Sequence, residues 1–140
     1  MRRAVPVLVA VLAVAGCKGG REGEVPGTWV SQRKLRLVVL DDKSFESIIG
    51  ALSTKGTWAI EGNDVTFTST SFNGKSNSEF RAAVTRNLPR QDARKLALVQ
   101  MFLKDMDKPH VLTLSADGKT LTTNKAKDTN TGGWSTLTKS

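Results

Sequence analysis

The sequence predicts a mainly β, antiparallel fold of about eight short strands, with a helical hairpin inserted between the fifth and sixth strands. Three observations carry this expectation. Apolar and polar residues alternate with a period of two in several short runs, and turn-forming clusters separate those runs. One central stretch instead repeats its apolar residues at spacings of three and four, behind a capping-box motif.

The first residues, MRRAVPVLVAVLAVAGC, are not part of that fold. Arg2 and Arg3 form a positive start, Ala4 to Ala15 an apolar run, and small residues precede Cys17. This is the layout of an export signal, and the run is too short to span a bilayer as a helix. Without residues 1–16, which hold two of the 21 Lys and Arg, 19 basic residues stand against 13 acidic ones, a net charge of +6. One cysteine leaves no internal disulfide and no cysteine-based metal site. The next stretch, Lys18 to Gly27 (KGGREGEVPG), is rich in glycine and charge and reads as a flexible tether reaching roughly 30 Å when extended. Residues 17–27 are thus linker, and the folded domain is expected over residues 28–140, where 113 positions suit one domain.

The strands follow in order. TWVSQ leads into KLRLVVL, where Leu35, Leu37 and Val39 alternate with Arg36 and Val38. Asp41 to Ser44 turn the chain into SFESII, and Ser53 to Gly56 (STKG) are expected to turn it again into TWAI. Glu61 to Asp64 form a tight-turn cluster before VTFTSTSF, which places Val65, Phe67 and Ser69 on one face and Thr66, Thr68 and Thr70 on the other. Ser76 then stands three residues before Glu79, the capping-box spacing, and a helix runs until Pro89 stops it. A second helix is expected from about Pro89 to Asp107, with Leu96, Val99, Leu103 and Met106 on one stripe, so the insert spans about 77–108. HVLTLS and KTLTTN flank Asp117–Gly118, a strong hairpin signal, and GGWSTLT closes the chain with Trp134 expected in the last strand.

Two resemblances add to this. Val14-Ala15-Gly16-Cys17 resembles the lipobox of bacterial lipoproteins, which implies cleavage before Cys17 and a covalent lipid, palmitate included, on that residue. Several acyl chains anchor a protein stably where one holds it only marginally, so the resemblance implies an exported protein tethered to a membrane. Lys18 replaces the aspartate of an inner-membrane retention signal, which in a Gram-negative cell implies the outer membrane. The tryptophans stand in Gly27-Thr28-Trp29, Gly56-Thr57-Trp58 and Gly132-Gly133-Trp134. With the regular hairpins over Gly27 to Asn73 and His110 to Lys139, these stretches resemble the small bacterial lipocalin-like proteins of calycin type. That resemblance implies a small up-and-down β-barrel with Gly27, Trp29, Gly56, Trp58 and Trp134 as structural signature residues and Trp29 across its closed end. The chain departs from the family in having no tyrosine. A barrel of eight strands is just wide enough to be filled or to hold one small ligand; strands of about six residues favour the filled interior.

Catalysis needs a nucleophile with a base, a metal, or paired carboxylates, and no stretch supplies one. His110, the sole histidine, follows Asp105 and Asp107 but reads as a solvated strand-opening residue, and Asp128 to Gly133 fail as a calcium loop because Lys139 stands at the glutamate position. No metal, no cofactor and no enzymatic activity are expected. Exposed stacking aromatics of the kind single-strand binders use are lacking, which counts against nucleic acid. The expectation is a non-catalytic, monomeric envelope lipoprotein, membrane-bound through Cys17, that binds a small apolar ligand or envelope component. A second possibility is an interaction protein with a filled core. Its basic insert, with Arg81, Arg86, Arg90, Arg94 and Lys95 as candidate contacts, would meet a protein or an anionic polymer.

Overall fold

A computed structural model describes residues 20–130 and 134–140. The expected export signal, Cys17, Gly132 and Gly133 lie outside the described residues. The strands are β1 (Gly27–Ser31), β2 (Arg36–Val39), β3 (Ser44–Ile49), β4 (Leu52–Glu61), β5 (Asp64–Phe72), β6 (Lys75–Ser76), β7 (His110–Leu114), β8 (Thr120–Thr123) and β9 (Thr136–Lys139). Helices α1 (Asn77–Arg86) and α2 (Ala93–Asp105) lie between β6 and β7.

Every strand pairs antiparallel with its neighbour in the chain, apart from the step from β5 to β7 across the insert. β1 pairs with β9 (Trp29 opposite Lys139) and β4 with β5, so β1–β5 and β7–β9 close into an eight-stranded barrel. The two-residue β6 only extends the end of β5. Closure leaves no barrel edge to protect. The helices therefore cover an open end instead: Phe72 at the end of β5 meets Leu103 of the second helix and Met106 just after it in a core of its own. Phe80 stacks on Phe72 at 5.3 Å, and Phe102 meets it edge-on at 5.7 Å.

The capping box forms at α1, with Ser76 Oγ accepting from the Glu79 N–H and Glu79 Oε1 accepting from the Ser76 N–H. Helix α2 starts later than expected. Asp92 caps it, Oδ1 accepting from the N–H groups of Arg94 and Lys95 at 3.1 Å each, so the chain from Pro89 to Asp92 is a turn.

Two expectations are corrected here. Ser53 to Gly56 do not turn; the turn lies at Gly50–Ala51 (Gly50 φ +57°), and Ser53 to Gly56 run inside the ten-residue β4. Gly56 faces a register shift, with Lys55 opposite Ser71 and Gly56 opposite Ser69, so Thr70 is a bulge in β5. A Cβ on Gly56 would fall 2.8 Å from Phe45 Cε1 and closer still to the Thr68 carbonyl oxygen. The glycine is there because two strands and a ring approach too closely for any side chain. The bulge shifts the alternation by one, which turns Phe72 rather than Ser71 towards the helices.

The supposed tether is also partly docked. Val25 is fully buried, and Arg21 reaches the carbonyls of Leu114, Ser115 and Ala116 and the side chain of Asn63. Among the described residues the folded body thus reaches upstream of Thr28 to include Arg21; Lys18 to Gly20 stand between Arg21 and Cys17 in the sequence. Among the described residues the main core runs from Val25 to Leu137.

Candidate ligand cavity

Successive layers of inward-facing side chains fill one half of the barrel and leave the other hollow. In the closed half Trp29, Leu37, Val65, Leu112, Leu121 and Leu137 are fully buried. Trp29 donates its indole N–H to the Val25 carbonyl at 2.9 Å, and Trp58 donates to the Leu40 carbonyl at 2.8 Å. Lys139 and Lys43 lie over the two rings.

The next layers follow from a repeated spacing: Trp29-x-Ser31, Phe45-x-Ser47 and Phe67-x-Ser69. Residues two apart on a strand point the same way, so each large ring is followed inside the barrel by a serine. Thr54, two residues before Gly56, completes the belt on β4, and all four hydroxyl residues are buried. Small side chains in that layer leave a cavity of about 420 Å³. Its wall includes Ser47, Thr54 and Ser69; Phe102 of α2 and Met106 just after that helix roof it; Ile49, Leu52 and Arg33, with Leu98 and Met101 of α2, line its mouth. The volume falls in the usual range of small-ligand sites.

Trp134 and His110 line the cavity together. Trp134 precedes β9 rather than lying in it, correcting the expectation of a ring in the last strand. Its ring packs 5.3 Å from Phe67 and 5.9 Å from Phe45, and the His110 imidazole stacks on it at 4.2 Å. His110 is only 7% exposed, not solvated, and its Nδ1 has no hydrogen-bond partner among the described residues. Burial pushes its pKa down from 6.5 to about 4, so the ring is neutral at neutral pH. Asn130 ties the lining to the roof, its side-chain amide donating to the carbonyls of Asp105 and Lys108 at the end of α2.

The other sequence candidates divide. Gly27, Trp29, Gly56 and Trp58 all belong to the barrel walls and packed interior, away from the cavity; Trp134 alone of the signature residues lines it. Arg81 is not a free surface cation: it donates to the Leu103 carbonyl and pairs with Asp107, joining α1 to α2. Arg86, Arg90, Arg94 and Lys95 are exposed.

No family model, curated protein or solved structure matches this chain.

The filled interior expected from short strands holds for only half the barrel, because β4 and β5 run to ten and nine residues and rise past the packed layers. Sequence reasoning missed Ser31, Ser47, Thr54 and His110 as cavity residues. The ring-x-serine repeat is the signal that marks three strands of that belt.

Proposed function

We propose that this protein is a non-catalytic envelope lipoprotein of the lipocalin-like kind, acylated on Cys17, whose barrel holds one small and largely apolar ligand. The observation that carries the reading is the cavity beneath α2, ringed by hydroxyls inside and by aliphatic side chains at its mouth. At the ~30 Å³ that a water-sized group occupies, it has room for roughly 14 non-hydrogen atoms.

The lining narrows the chemistry. Deep inside, the polar groups are neutral: serine and threonine hydroxyls and an uncharged imidazole. A buried ion needs a partner, and the cation available to one is Arg33 at the mouth. The ligand therefore enters chain-first, with neutral polar groups seated on the belt and any carboxylate left at Arg33.

Titration with a fluorescent fatty-acid probe tests this. Saturable one-to-one binding that quenches Trp134 is expected; a linear, unsaturable signal would sink the ligand reading. Trp29 and Trp58, in the packed half, respond little.

A further inference from the structure

The rim of the cavity carries features that ligand binding does not require. Ile49, Leu98 and Met101 line the mouth yet are 41%, 60% and 50% exposed. On α2, Leu98 and Met101 are neighbours three residues apart. Arg94 and Lys95 lie one turn before Leu98, and Lys104 lies one turn after Met101. Arg33 and Lys34 project from the β1–β2 turn at the same end; Arg86 ends α1 and Arg90 lies in the connection to α2; all are exposed. The ion pairs among the described residues use none of these cations. The acids of the insert are otherwise engaged: Asp92 caps α2, Asp105 pairs with Lys108 and Asp107 with Arg81.

Aliphatic side chains flanked by unpaired cations on one helix face are the pattern of a segment lying in the interface of an anionic bilayer. A soluble polyanion or an acidic protein would answer the charges but not Leu98 and Met101. We propose that the mouth of the barrel docks on an anionic lipid surface, with Leu98 and Met101 entering the acyl boundary and Arg94, Lys95, Lys104 and Arg33 meeting the headgroups. The ligand cavity then opens directly onto the bilayer from which an apolar molecule is taken up or into which it is released.

The chain's polarity gives this a direction. Arg21 is fastened at the turns after β4 and β7, the end opposite the mouth. Four Cα-to-Cα steps separate it from Cys17, at most about 14 Å, less than the roughly 25 Å that the tilted ten-residue β4 spans along the barrel. If Cys17 is acylated, the docked bilayer is a second one, facing the anchoring leaflet across the length of the barrel. That last statement rests on the anchor reading; the docking itself does not.

The experiment uses the unlipidated chain from Lys18 onward in co-flotation with vesicles of phosphatidylcholine alone and of phosphatidylcholine mixed equally with phosphatidylglycerol. Binding to the anionic vesicles only, weakened by salt, is expected. Arg94→Glu with Lys95→Glu, neither of which lines the cavity, lowers the partition by at least about fivefold per charge removed. Leu98→Ser with Met101→Ser lowers it roughly tenfold or more, with an unchanged circular dichroism spectrum. Equal binding to both vesicle types, or none to either, overturns the proposal. So does loss on charge reversal with no effect of the serine pair, which identifies a polyanion site instead. Because no fatty-acid probe is present, failure here leaves the cavity titration standing, and the reverse.

Discussion

Replacing Gly56 by alanine tests the barrel's construction at its tightest point. A methyl group there would lie 2.8 Å from Phe45 Cε1 and from the Thr68 carbonyl carbon, and nearer still to its oxygen. Carbon atoms pack best at about 3.5–4.0 Å, so β4 and β5 must part by roughly 1 Å beside the Thr70 bulge. Overpacking a close-fitted site costs about 1–3 kcal/mol, and weakening two ladder hydrogen bonds adds ~1 kcal/mol each. The expected loss is about 3–5 kcal/mol, a large part of the 5–15 kcal/mol typical of a domain. The assay is urea unfolding of the chain from Lys18, with the midpoint compared at constant slope. Gly50→Ala is the control: its φ is +57° and nothing lies within 4 Å, so only backbone strain of about 1–2 kcal/mol applies, partly offset by a stiffer unfolded chain. A loss at Gly56 no greater than that at Gly50 would refute the close approach as the reason for this glycine.

Three further outcomes follow from other parts of the molecule. Unfolded histidine takes up a proton near pH 6.5 and buried His110 near 4. Between those values the unfolded state holds more protons, so stability falls as pH drops. The loss between pH 7 and 4.5 is about 2.5 kcal/mol, and thermal melts of His110→Phe should show a correspondingly shallower decline; parallel curves would count against a buried neutral ring. Arg21→Ala, which removes the bonds to the Leu114, Ser115 and Ala116 carbonyls, should speed amide exchange at Glu24 and Val25 by at least tenfold while leaving Leu112 protected. Cys17→Ser should abolish palmitate labelling; persistent label would mean that the lipobox resemblance misleads.

How far these features are visible in the sequence depends on their range. Leu35, Leu37 and Val39 on one face, the Asp117–Gly118 hairpin and the Ser76–Glu79 box are local, and each forms as its spacing implies. Gly56 is misleading because a glycine among Ser, Thr and Lys reads as a turn, while its true cause, the Thr68 backbone, lies in another strand. The Thr70 bulge leaves no local signature, so the reversal that aims Phe72 at the helices has to be seen in the pairing. Arg21 looks like linker because the carbonyls that fasten it lie more than 90 residues away. His110 and Trp134 look unremarkable alone and become cavity residues only when β7 and the segment before β9 are brought over the serine belt. That belt was written in the ring-x-serine repeat, but its meaning depends on closure: a small residue is a hole only when other strands enclose it.

The account turns on the hollow half of the barrel, and filling it is the most direct test. Ser47→Leu with Ser69→Leu puts two aliphatic side chains into the belt without touching the rim, the roof or the packed half. Fatty-acid probe titration should then show saturable binding for the native chain and none for the filled variant, with both chains melting cooperatively. Equal saturable binding by a folded, filled variant would place the ligand elsewhere and contradict the account.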